Sequence, residues 1–296
     1  MNISAYFQER RTIVDNALCS MLPASDQYPH VIHQAMYHSL FAGGKRLRPI
    51  LALAAYEAIE CSYRKILPTA CALECIHTYS LIHDDLPAMD DDDFRRGVPT
   101  CHKVYGEAIA ILAGDALLTH AFYLLAENAK IEGISVERVV KVIAEIANAC
   151  GTNGLIGGQV VDLTSEAKQV DADTLRYIHQ KKTGALITAS VRAGAILAGA
   201  SVRQLEAMTG YGDCLGLAFQ ITDDILDIEG SIEALGKTPG SDAKKHKATY
   251  PALFGMQEAK KQAEIAVQKA KNCIEVLGER GEVLSSIADF VLYRNS

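Results

Sequence analysis

A chain of 296 residues is long enough for two ordinary domains or one large one, and with 49% hydrophobic and 22% charged residues it can build a core and is too apolar to stay disordered. Lys and Arg number 29 against 36 Asp and Glu, and the resulting net charge of −7 has the wrong sign for a protein that holds nucleic acid through its phosphates. Eight cysteines are too sparse for a disulfide framework, and the opening MNISAYFQERR lacks the apolar stretch of an export signal, so free thiols and a cytoplasmic location are expected.

Apolar residues recur at helical spacing, as in Val139, Val142, Ile143 and Ile146, and period-2 alternation is nearly absent. The pattern predicts an all-α fold with helices at 2–20, 29–41, 47–60, 66–86, 104–130, 135–166, 172–199, 201–229 and 251–294, the last interrupted near Gly278 to Gly281. All eight prolines lie at breaks in this scheme, and none falls between Thr100 and Thr238. No repeat, low-complexity segment or dividing linker is present, so residues 1–296 are expected to form one domain.

In chain order, the first chemically suggestive segment is FAGGKRLRP, where Gly43 and Gly44 permit close backbone approach and Lys45, Arg46 and Arg48 precede a helix opened by Pro49. The helix 66–86 carries the apolar run CALECIHTYSLIH. Its Cys71 and Cys75 have no second Cys/His pair nearby, so they are read as core rather than zinc ligands. That helix leads into DDLPAMDDDDFRRG, which puts Asp84, Asp85, Asp90, Asp91, Asp92 and Asp93 within ten residues and ends at Arg95 and Arg96. The most apolar long stretch, 185–201, has Arg192 at its centre, so no membrane span is predicted.

Downstream, FQITDDILDIEG sets Asp223, Asp224 and Asp227 among apolar residues, with Asp223 and Asp227 one turn apart on one helix face. Oxygen-only ligands in two clusters suit Mg²⁺, which keeps waters and shares its shell with carboxylates and substrate phosphates. Cationic and imidazole side chains recur at His77, Arg95, Arg96, Lys181, Lys182, Lys237 and Lys247. An acidic chain so equipped is fitted for a metal-bridged diphosphate rather than for bare anion attraction.

GGKRLRP (43–49), DDLPAMDDDDFRRG (84–97), GGQVVDL (157–163), KTGAL (182–186), FQITDDILD (219–227) and GKTPGSDAKKHKATYPAL (236–253) stand in an order that resembles the short-chain trans-prenyltransferase (polyprenyl synthase) family, nearest its bacterial farnesyl type. The resemblance spans nearly the whole chain and implies the all-α isoprenoid synthase bundle, with the two aspartate motifs facing each other across a central cavity. It also implies head-to-tail 1'-4 condensation of isopentenyl diphosphate with an allylic diphosphate, Mg²⁺ as cofactor with Mn²⁺ as substitute, and a homodimer.

Carried over residue by residue, the resemblance makes Asp84, Asp90 and Asp223 the metal ligands, supported by Asp85, Asp224 and Asp227. Arg95, Lys182, Thr183, Gln220, Lys237 and Lys247 would grip the allylic diphosphate; Lys45, Arg48, His77 and Arg96 would bind isopentenyl diphosphate. His77 lies seven residues before Asp84 and shares its helix face. Gly157, Gly158, Gln159 and Asp162 fit the pattern too, with close packing as their other reading, and Tyr293 and Arg294 are taken as structural.

Tyr79 and Ser80, five and four residues before Asp84, are expected to floor the cavity that receives the growing chain, the bulk of Tyr79 stopping it at fifteen carbons. Two departures limit the carry-over. Pro87 lies among the four residues between Asp85 and Asp90, so the helix must end there if Asp90 is to share a metal with Asp84. The run Asp90–Asp93 leaves the third ligand ambiguous by one position. A geranylgeranyl diphosphate synthase is the alternative within the same chemistry; a non-catalytic partner subunit and a phosphate-independent cation binder are the others, and the intact acidic and basic motifs speak against both.

Overall fold

The computed structural model describes residues 2–166, 168, 170–229 and 248–294. Its helices are α1 (Ile3–Met21), α2 (His30–Leu40), α3 (Leu47–Glu57), α4 (Leu67–Asp84), α5 (Cys101–Tyr105), α6 (Glu107–Glu127), α7 (Val136–Cys150), α8 (Leu155–Ser165), α9 (Ala172–Ile178), α10 (Ala185–Ala198), α11 (Val202–Glu229), α12 (Tyr250–Phe254), α13 (Met256–Cys273) and α14 (Glu282–Tyr293). A π-helical turn, His179–Gly184, joins α9 to α10. Among the described residues the only strands are two-residue β1 (Phe94–Arg95) and β2 (Val98–Pro99), paired antiparallel. The fold is all-α, as the sequence predicts.

Helix boundaries differ from the sequence reading where glycine intervenes. Gly106 and Gly255, at φ 81° and 83°, separate α5 from α6 and α12 from α13. Gly151–Gly154 divides the predicted 135–166 helix into α7 and α8. Helix α3 opens at Leu47, as expected, with Arg46 before it in a left-handed conformation at φ 52° and Pro49 in its first turn.

Helix α4 is buried on most sides, with Pro68 in its first turn and Leu73 and Ile76 fully buried. It therefore sits inside the bundle and packs against α6, α3 and α1. Each such Leu or Ile contributes roughly 1.5–3 kcal/mol through burial. One apolar cluster joins α1, α2, α4, α6 and α7 through Leu18, Leu40, Leu73, Leu117 and Ile146. A second joins α3, α10, α11, α13 and α14 through Leu51, Val191, Tyr211, Val267 and Ile287. The aspartate segments thus end two core helices, α4 and α11, one from each cluster.

Two stretches, Glu107–Lys130 and Val136–Ser165, are long and apolar enough to cross a membrane by length and composition alone. In the fold the first contributes α6, packed on α4 and α2, and the second is broken between α7 and α8.

Candidate active site

Helix α4 ends at Asp84, and the chain turns back on itself through Pro87. The Leu86 carbonyl accepts from Met89 N–H at 2.8 Å and Asp91 N–H at 3.1 Å, and Asp90 N–H donates to the Asp84 carbonyl at 2.8 Å. Asp91 takes the positive φ this turn requires, 51°. The backbone of Asp90 therefore lies against that of Asp84, which removes the helical offset that six residues would otherwise impose. Farther along, Asp92 accepts from Arg95 at 3.4 Å and Asp93 pairs with Lys103 at 2.6 Å.

The β1–β2 hairpin then delivers two arginines. Arg95 Nε donates to buried Asp85 at 2.6 Å. Burial pushes the Asp85 carboxyl up from its ordinary value, and Arg95 opposes that shift. Arg96 donates from Nη1 to the Gly43 carbonyl, and a Cβ on Gly44 would lie 2.6 Å from its guanidinium carbon, so this glycine is what lets the side chain lie along the loop.

Lys45, Arg48, His77 and Arg96 meet around that loop. Burial, then Arg294, pushes Lys45 down to about 8, with Asp223 acting in the opposite direction. Arg48 is buried with no hydrogen-bond partner for its Nε, and desolvation brings it down to about 10, against the pull of Glu74 and Asp223. Burial and the charges of Arg48, Arg96, Arg95 and Arg46 hold His77 far below the usual imidazole range. His77 therefore stands beside these arginines as a neutral ring, not as a further cation. Arg46 belongs to the scaffold instead: it is buried, bonding Asp15 at 2.8 Å, Glu74 at 2.7 Å and the Leu40 carbonyl at 2.6 Å.

On the opposite wall, Thr183 Oγ1 donates to Gln220 Oε1 at 2.8 Å, and Gln220 Nε2 donates to Asp224 at 3.0 Å. Buried Asp224 also accepts from Tyr250 N–H at 2.9 Å and lies 3.5 Å from His179, whose ring stacks on Tyr250. Desolvation brings His179 down to about 3, so it is neutral near pH 7. Lys182 pairs with Asp162 at 2.6 Å. Gly158 permits this arrangement, since a Cβ there would collide with the backbone nitrogen of Lys182 and lie 2.6 Å from its Cα. Gly216 on α11 likewise lies so close to Gly184 that its Cβ would come within 2.8 Å of the Gly184 Cα. A π-helical turn held between close glycine contacts aims Lys182 and Thr183 differently from the flanking α-helices.

Asp223 has a partner that its motif does not supply. Arg294, following α14, donates from Nη2 to Asp223 at 2.5 Å and to the Phe219 carbonyl at 3.1 Å, with its guanidinium 3.9 Å from the Phe219 ring centroid. The sequence reading took Arg294 as structural, and no local signal marks a terminal arginine otherwise. Asp162 carried a weak signal in GGQVVDL and His179 carried none. Lys237 and Lys247 lie outside the described residues. Ser80 donates to the His77 carbonyl at 2.9 Å, and Tyr79 is 5% exposed with a partnerless hydroxyl. All eight cysteines are free, and burial raises the thiol pKa of both Cys71 and Cys75, as suits core packing.

Among the described residues no three His, Cys, Asp or Glu side chains form a ready-made metal cluster. The candidate oxygen donors sit on separate elements, Asp84 and Asp90 at and after the end of α4 and Asp223 on α11. A groove of about 680 Å³ between α7, α10, α11 and α13 is lined by Glu145, Lys181, Arg192 and Lys269, and by none of the predicted site residues.

Two core helices of an all-α bundle carry the aspartate segments, with Lys45 and Arg48 within electrostatic reach of Asp223 and Arg95 bonded to Asp85. Residues 29–282 match the family model for polyprenyl synthetase, and the chain belongs to that family of prenyltransferases. It is 49% identical over 296 residues to a geranylgeranyl diphosphate synthase of Cyanophora paradoxa, covering 100% of this chain and 97% of that protein. It is 43% identical over 293 residues to a farnesyl diphosphate synthase of Bacillus subtilis, covering 99% and 98%. The crystal structure of an FPP/GFPP synthase from Zymomonas mobilis superposes with a TM-score of 0.87 at 35% identity, covering 98% of this chain and 99% of that one.

Proposed function

We propose that this prenyltransferase condenses isopentenyl diphosphate head to tail with dimethylallyl and then geranyl diphosphate, releasing pyrophosphate and stopping at (2E,6E)-farnesyl diphosphate. The observation that carries this reading is that buried Arg48, with no partner for its Nε, and depressed Lys45 both feel the charge of Asp223, the leading carboxylate of the second motif. Such a site is short of anions on one side and crowded with carboxylates on the other, and two diphosphates with divalent metal satisfy both.

Asp84, Asp90 and Asp223 are the carboxylates suited to hold Mg²⁺, or Mn²⁺ in its place. They are hard oxygen donors without thiol or imidazole ligands, and their placement at the end of α4, in the turn after it and on α11 would leave part of a metal's shell to diphosphate oxygens. The metal supplies Lewis-acid stabilisation of the leaving pyrophosphate. Arg95, Lys182, Thr183 and Gln220 orient the allylic diphosphate, Asp85, Asp224 and Asp227 support the ligands, and Lys45, Arg48, His77 and Arg96 receive isopentenyl diphosphate. The allylic C–O bond breaks with its electron pair passing to pyrophosphate, the isopentenyl double bond attacks the resulting cation, and pyrophosphate takes the final proton. Charge appears on the leaving group only as the bond breaks, so cations placed there lower the barrier selectively.

Tyr79 supports the fifteen-carbon limit as a bulky ring on α4 one turn before the metal ligands, with Ser80 beside it. A geranylgeranyl product is the second reading, favoured by the name of the Cyanophora relative. A second copy of the chain docks through α6, α7 and α8, where Leu112, Tyr123, Val136, Val140 and Val160 are exposed apolar residues.

Metal removal tests the site. EDTA abolishes pyrophosphate release from isopentenyl and dimethylallyl diphosphates, and Mg²⁺ or Mn²⁺ restores it. Asp84→Ala and Asp223→Ala each lower kcat by about 10²-fold or more while the far-UV spectrum stays helical. Near wild-type turnover in either variant contradicts the ligand assignment.

A further inference from the structure

Tyr79 alone does not fix where a growing chain would stop, because its buried hydroxyl has no partner to hold the ring. Beyond the apolar packing around it, one aromatic neighbour orients it. His83, one turn later on α4, meets Tyr79 edge to face, with centroids 5.8 Å apart and planes at 81°. His83 is itself seated on α6, where its Nε2 lies 3.0 Å from the carbonyl of Ile111. A carbonyl only accepts, so Nε2 carries the proton and donates.

The seat exists because residue 114 is glycine. A Cβ there would overlap His83 Nε2 and come within 2.5 Å and 2.9 Å of ring carbons Cδ2 and Cε1. Gly114 is buried within α6 and has no positive φ, so neither a turn nor strain accounts for it. Glycine in a helix interior costs about 1 kcal/mol relative to alanine, and here the room it leaves is filled by the imidazole.

We propose that His83, seated on Gly114, is a specificity-determining positioning residue. It locks the Tyr79 ring across the elongation cavity and thereby sets product length without touching the reacting carbons. The inference rests on the reading of Tyr79 as the cavity floor. Removing the imidazole leaves Tyr79 with neither ring contact nor hydrogen bond, free to swing to another rotamer. Filling the seat with a methyl group expels the imidazole and has the same effect.

The test offers farnesyl diphosphate as the allylic acceptor, with radiolabelled isopentenyl diphosphate and Mg²⁺, to wild type, Tyr79→Ala, His83→Ala and Gly114→Ala. Wild type extends it poorly, and all three variants are expected to extend it about tenfold better or more, while in His83→Ala and Gly114→Ala kcat/KM for dimethylallyl diphosphate stays within a few-fold. A purely structural role would lower Tm without making farnesyl diphosphate an acceptor. If Tyr79→Ala extends farnesyl diphosphate and folded His83→Ala does not, the positioning role is overturned and the floor stands. If neither does, the floor reading itself falls. Should His83→Ala not fold, Gly114→Ala, which keeps the histidine and removes only its seat, decides the matter in the same way.

Discussion

Lys45 stands in surroundings that weaken its hold on a proton. With its ammonium down to about 8 through burial and Arg294, it is charged below that pH and neutral above it. Because kcat/KM reports the free enzyme, kcat/KM for isopentenyl diphosphate is expected to fall as pH rises through about 8, and Lys45→Arg is expected to abolish the fall. A profile of the wild type that stays flat well above pH 8 places Lys45 outside the binding step. Arg48→Ala, which removes a charge-assisted contact, is expected to raise the KM for isopentenyl diphosphate by an amount equivalent to about 1.5–3 kcal/mol, with little change in KM for the allylic partner. His77 shows what residue types alone conceal: its spacing from Asp84 placed it on the right face, but only the packed arginines around it reveal a neutral ring.

At the scale of elements, glycine contacts decide how closely the site walls approach. Gly158→Ala puts a methyl group into the backbone of Lys182, and the overpacking is expected to cost about 1–3 kcal/mol, opposed by the ~1 kcal/mol that alanine adds to helix stability. A lower Tm together with lower turnover is expected, since α8 is pushed off the turn carrying Lys182 and Thr183; thermal unfolding and steady-state kinetics check both. Unchanged turnover means that the turn is not held by this contact. Helices with continuous apolar periodicity, such as α4 and α11, were legible in the sequence. The α7–α8 break was not, because Gly151 and Gly154 sit in an otherwise unbroken pattern and a tolerated helical glycine looks the same as a turn. The π-helical turn left no trace either, since it differs from α-helix only in which carbonyl each N–H finds.

At the scale of the whole molecule, the two acidic motifs and the glycine–basic turn were readable because carboxylates crowded among apolar residues repel one another and are costly to desolvate unless cations join them. Contacts from elements remote in sequence were not readable: Arg294 reaches Asp223 from 71 residues away, and Asp162 reaches Lys182 from another helix. The apolar face on α6, α7 and α8 predicts a dimer by light scattering, and Val140→Asp with Leu112→Asp is expected to yield a folded monomer; a wild type that is monomeric at micromolar concentration contradicts that docking face. The decisive measurement is to incubate the purified chain with radiolabelled isopentenyl diphosphate, dimethylallyl diphosphate and Mg²⁺ and to size the dephosphorylated products. Fifteen-carbon farnesol is predicted as the main product, with none in EDTA. Mostly twenty-carbon product contradicts the farnesyl limit, and no condensation at all contradicts the site.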